Sequence, residues 1–249
     1  MLHPSKARVK TALARLGRPA GAFDARRYFR GDHGLRFYNV GTDRMRALAR
    51  SIFEANRDRW TAPDALAFAD TLIQDPYLET KSVGIEVLAL YRRTLTMPML
   101  ATFKRWLARN DSSNWATTDA ICGALIGPLL VRHPEDADRL KPWARHSNMW
   151  VRRASVVGLI PLARRGFALD LLYANARLLH GDDEDLIQKA VGWALREAGK
   201  ADPGRLERYL RQNGRSIPRT TIRYAIERFP ESSRRDLLRA TSAPPRARK

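Results

Sequence analysis

The chain has 249 residues, 44% of them hydrophobic, and 45 Lys and Arg against 26 Asp and Glu leave a formal net charge of +19. That apolar fraction supports a packed core rather than a disordered polycation, and so large a positive excess repels itself unless a polyanion such as nucleic acid lies against it. No long apolar run and no signal-peptide core in Met1 to Lys6 argue for a membrane partner, and a single cysteine, Cys122, excludes an internal disulfide or a multi-cysteine metal site and fits a reducing cytoplasm.

Taken in order, every periodic stretch has helical spacing, and neither an alternating strand nor an Asn-Gly or Asp-Gly hairpin turn interrupts it. Ser5 to Leu16 forms a short basic amphipathic segment that Gly17, Pro19 and Gly21 break. A second short helix is expected from Phe23 to Phe29, ending at Gly31-Asp32-His33-Gly34. Thr42 or Asp43 is placed to cap a helix running to about Arg59. Thr61-Ala62-Pro63-Asp64 opens the next by its Thr cap and early proline, and Asp75-Pro76 closes it.

From there the chain repeats. Small residues recur at Gly84, Ala120, Ala154, Ala190 and Ala225, separated by 36, 34, 36 and 35 positions. Each sits in a helix followed by a turn and a second helix, as in Pro98 to Leu107, Pro134 to Ala144, Ala168 to Leu179 and Pro203 to Gln212. A two-helix repeat near this length predicts an all-α fold, an α-solenoid of HEAT-like repeats in which each repeat buries its apolar face on its neighbours. We expect one such domain over residues 1–242, then a disordered basic tail over 243–249. Cys122, within the apolar run Ile121 to Leu130, is expected to be a small core residue.

The residues preceding the small ones are Val83, Asp119, Arg153, Lys189 and Tyr224, charged in the middle three repeats. Equivalent solenoid positions line up along one side, usually the concave one, so these charges are expected to stand in a row. Trp115 lies one helical turn before Asp119 and Trp193 one turn after Lys189, so both indoles join it. Ser112, Ser113 or Asn114 is available to cap the helix that carries Trp115. Arg152, Arg196, Arg219 and Arg223 add positive charge on or beside the row. The expectation is a concave basic cleft with two indole rings and one carboxylate near its middle. The bland alternative makes each charge a solvated helix face and each Trp core.

Three segments carry a resemblance: Asn114-Trp115-x-x-x-Asp119, Met149-Trp150-Val151-Arg152-Arg153-Ala154, and Ile187 to Glu197 with Lys189, Trp193 and Arg196. Together with Ala25-Arg26-Arg27-Tyr28-Phe29 and Pro218 to Ile226, they resemble the AlkD-like alkylpurine DNA glycosylases, a bacterial DNA alkylation repair family. The resemblance implies a HEAT-like solenoid holding duplex DNA that contains alkylated purines. It places the catalytic aspartate on Asp119, the groove tryptophans on Trp115 and Trp193, a DNA-contacting arginine on Arg153 and a groove tyrosine on Tyr28. It implies base release without flipping, and with no lysine assigned as Schiff-base nucleophile we expect a monofunctional glycosylase. No cofactor, no metal and no membrane partner are expected, and the protein is expected to act as a monomer on the bacterial nucleoid.

Two other readings stay open at this stage. One is a catalytically silent relative that binds distorted or branched DNA, and the other is a protein–protein scaffold. The preferred lesion, whether 3-methyladenine, 7-methylguanine or a bulky adduct, is also left open.

Overall fold

The computed structural model describes residues 4–19, 29 and 34–242. The expected helix from Phe23 to Phe29, apart from Phe29 itself, and the tail over 243–249 lie outside the described residues. Within them the chain is all-α, and extended segments pair only at an isolated bridge between Arg36 and Tyr77. The helices gather into two compact units, Met1–Leu129 and Leu130–Lys249.

Unit 1 is built on α4 (Leu78–Leu90), which is buried almost all round because four helices pack on it. These are α1 (Lys6–Leu16), α2 (Thr42–Asn56), α3 (Ala62–Ile73) and α6 (Trp115–Ile121). Ser5 caps α1, and Thr61 and Asp64 form a reciprocal capping box at α3. The cap of α2 differs from expectation: Gly41 holds that place, and Thr42 and Asp43 are already inside the helix. The cause lies in α4, where the buried Glu79 carboxylate accepts the Tyr38 and Val40 N–H groups at 3.1 and 3.2 Å. The extended segment is thus pinned as far as Val40, and the chain turns into α2 immediately afterwards. Gly84 lets α3 approach closely, since a Cβ there would stand 3.0 Å from that of Leu72.

Beyond α5 (Met99–Ala108), α6 widens into a π-helical turn over Cys122–Ile126 before α7 (Gly127–Arg132) resumes. Pro128 offers no N–H and would crowd the carbonyl four residues back, so the ladder opens and Gly127 N–H bonds the Cys122 carbonyl instead. Cys122 is buried, as expected.

In unit 2, the helix expected over Pro134 to Ala144 is present as a 3-10 helix, Pro134–Arg145. Pro142 lies inside it and offers no N–H to its ladder. The central element is α11 (Asp185–Ala201), packed by α8 (Met149–Val157), α9 (Ile160–Ala163), α10 (Leu169–Leu178), α12 (Pro203–Asn213) and α13 (Arg219–Ala225). Short α14 (Glu231–Ala240) packs on α12. Ala154, Ala190 and Ala225 are buried as the repeat requires, whereas Ala120 is partly exposed. Gly192 lets α11 and α13 approach closely, since a Cβ there would meet the Tyr224 Cβ at 2.5 Å and the Thr221 carbonyl at 2.6 Å.

Candidate functional site

In unit 1 the site grows from α6. Its approach is fixed by Lys81, a buried ammonium on α4 that donates to the Ile73 carbonyl at 2.7 Å and to the Asp111 carbonyl at 2.6 Å. Of the three candidate caps Asn114 is the one used, accepting from Thr117 N–H at 2.9 Å. Ser112 sits beneath, its hydroxyl 2.7 Å from that of Thr117. Thr117, Thr118 and Ile121 point inward and are buried, which turns Trp115 and Asp119 outward, one turn apart and both partly exposed.

Trp115 belongs to a run of aromatic rings. Phe29 stacks on it at 5.3 Å between centroids with 15° between planes, and Phe37 packs on Phe29 at 5.5 Å and 35°. Phe37 lies on the extended segment that Glu79 pins. There Arg36 N–H bonds the Pro76 carbonyl, Leu78 N–H bonds that of Arg36, and the Tyr38 and Tyr77 rings stack at 4.0 Å. Tyr28 lies outside the described residues. Sequence reasoning missed Phe37, Glu79 and Lys81. The available signal was an acidic and a basic residue in a helix otherwise rich in apolar side chains, because charges at such positions need partners.

Unit 2 holds the cationic candidates, and most are already engaged. Arg152 pairs with Asp182 at 2.7 Å and donates to the His146 and Ser147 carbonyls at 3.1 and 2.7 Å. Arg153, only 5% exposed, donates to the Leu186 carbonyl in the first turn of α11. Arg196 pairs with Glu227 and with buried Glu197, which also gathers Arg164 and Lys200. Burial pushes the Glu197 carboxyl up, but hydrogen bonds from Lys200 and Arg164 outweigh it and hold it below its ordinary 4.5. Arg219 donates to the Leu238 carbonyl at 3.0 Å.

Lys189 is half-exposed and pairs with Asp185 at 2.6 Å, a hydrogen bond that raises its pKa. Its ammonium also feels Arg153 and Tyr224, so three of the residues in repeat register are electrostatic neighbours in this unit. Trp193 is partly exposed one turn on, and Arg223 and Tyr224 on α13 are exposed. Ligand atoms of His133, Glu135 and Asp136 come within 4.8 Å of one another, although Asp136 is already committed to Arg139 at 2.5 Å. No helix among the described residues is long and apolar enough to cross a membrane.

The architecture is shared with a solved protein described as a predicted DNA alkylation repair enzyme from Enterococcus faecalis. The two superpose with a TM-score of 0.75 over 86% of this chain and 97% of that one, at 20% identity. Such a likeness establishes the helical fold. The family model for the DNA alkylation repair enzyme matches residues 9–229, and the chain belongs to that family. Among curated proteins there is no match.

Proposed function

We propose that the protein is a monofunctional DNA glycosylase that hydrolyses the N-glycosidic bond of N3- or N7-alkylated purines in duplex DNA. The observation that carries this reading is the outward face of α6, where Trp115 and Asp119 stand on successive turns while the intervening threonines are buried. Alkylation at N3 or N7 makes the purine cationic, so the base departs neutral and needs no general acid. The bond electrons leave with the base and the sugar becomes oxocarbenium-like, as in glycoside hydrolysis. The Asp119 carboxylate stabilises that charge and orients the water that attacks the anomeric carbon. The indoles of Trp115 and Trp193 present electron-rich faces to a cationic sugar or base.

Among the cations, Lys189, Arg219 and Arg223 are exposed enough to meet phosphates. Arg152, Arg153 and Arg196 are less exposed and would meet phosphate through the N–H donors that their protein partners leave over. The net charge of +19 makes duplex DNA the fitting partner and binding strongly salt-dependent.

The test is release of free 7-methylguanine and 3-methyladenine from methylated duplex DNA by wild type and by Asp119→Asn, which keeps the size and removes the charge. Loss of release with DNA binding retained supports the reading. Wild-type protein that binds DNA and frees neither base sinks it. Equal release by Asp119→Asn removes the role given to that carboxylate.

A further inference from the structure

We propose that Phe29 and Phe37 are positioning residues of the site, a braced stack that sets the plane of the Trp115 indole one turn from Asp119. The effect on catalysis rests on the glycosylase reading, whereas the brace itself rests on unit 1 alone. Phe29 lies nearly parallel to the indole at 5.3 Å, and Phe37 supports Phe29 at 5.5 Å. Phe37 has little freedom to retreat. Its neighbour Arg36 is bonded through both N–H and carbonyl to the Pro76–Leu78 backbone. On its other side Tyr38 gives its N–H to Glu79, which is 2% exposed, and its ring to Tyr77.

Both ends of the stack are therefore referred to one helix. The segment bearing Phe37 is tied to α4 by Glu79, and α6, which bears Trp115, packs on α4 directly and is tied to it by Lys81 through Asp111. A ring system closed on a single helix holds its end member in one plane, which an isolated Trp at the first position of a seven-residue helix would not maintain. The stack also covers one face of the indole.

The test uses the full chain labelled with 5-fluorotryptophan, with the Trp115 resonance assigned by its loss in Trp115→Phe. Single-turnover base release and duplex affinity are measured in parallel. In Phe29→Ala the Trp115 resonance is expected to move as the ring current over it disappears. The single-turnover rate should fall on the order of tenfold to a hundredfold, the cost of a misplaced catalytic partner, with affinity nearly unchanged. Phe29→Tyr should restore both, and Phe37→Ala should shift both in the same direction by less. Should Phe29→Ala fail to fold, Phe29→Leu fills the space without a ring and makes the same comparison. An unmoved resonance, an unchanged rate, or a loss explained wholly by affinity overturns the proposal. If wild type releases no base, the glycosylase reading fails, and the resonance alone then decides whether the brace exists.

Discussion

Acidification should destabilise unit 2 through His180 before it reaches the carboxylates. This imidazole follows α10, is 7% exposed, and its Nε2 lies 2.7 Å from the Tyr209 hydroxyl on α12. Burial pushes its pKa down from 6.5 to about 4, and the positive charge of Arg177 adds to the effect. Burial likewise pushes the Tyr209 hydroxyl up, so it stays a donor, and in the tautomer carrying its proton on Nδ1 His180 accepts from it. The unfolded chain binds the proton more readily than the folded one. Stability is therefore full above pH 6.5, falls as the pH drops toward about 4, and is insensitive to this group below that.

At ~1.4 kcal/mol per pH unit the whole window is worth ~3 kcal/mol, a sizeable share of a domain's stability. Urea unfolding of wild type and His180→Gln between pH 7.5 and 4.5 measures it, because glutamine keeps an acceptor for Tyr209 and does not titrate. Wild type should lose roughly 2–3 kcal/mol more than the variant over that interval. An NMR titration of the His180 ring should place its midpoint near 4. Parallel stability curves, or a midpoint close to 6.5, refute the reasoning.

Burial pushes the Asp75 carboxyl up, but the Tyr77 N–H at 3.0 Å and the Lys10 and Lys6 ammoniums at 3.2 and 3.4 Å outweigh it and hold it below 3.8. Its contribution is present above pH 3.8 and lost as the pH falls through the lower folded value. Asp75→Asn should speed amide exchange in α1 on the order of tenfold at neutral pH, and unchanged protection there would mean that the pairs with Lys6 and Lys10 do not hold α1 in place. Gly192→Ala forces a Cβ into the Thr221 backbone and the Tyr224 side chain, and should cost ~2–3 kcal/mol, read as a melting point several degrees lower. A melting point within a degree of wild type would mean that α13 yields. Finally, Arg223→Ala should reduce the salt slope of duplex binding by about one counterion with stability intact. Arg152→Ala should instead lower stability, since it strands Asp182 and two carbonyls. Thermal melts alongside salt titrations separate the two, and a reversed pattern would reassign both arginines.

Periodicity and punctuation settled much of the secondary structure. Thr61-Ala62-Pro63-Asp64 carries its capping box in its own letters, and the spacing of Ala154, Ala190 and Ala225 reports helices packed in register, because local hydrogen bonds and close approach depend on nearby residues. The pair Trp115 and Asp119 was legible for the same reason, since a four-residue spacing determines a shared face wherever the helix lies. Tertiary structure alone decided which of these groups are available. Arg152 and Arg153 look like open cations in the sequence, yet Asp182 and the Leu186 carbonyl, some thirty residues on, occupy them. Only the fold sets Glu79 under the Tyr38–Val40 backbone, carries the cap of α2 to Gly41, and lays Phe29 on Trp115 from more than eighty residues away. Sequence spacing encodes contacts within a turn or a repeat, whereas a buried charge chooses its partner only once packing has excluded water.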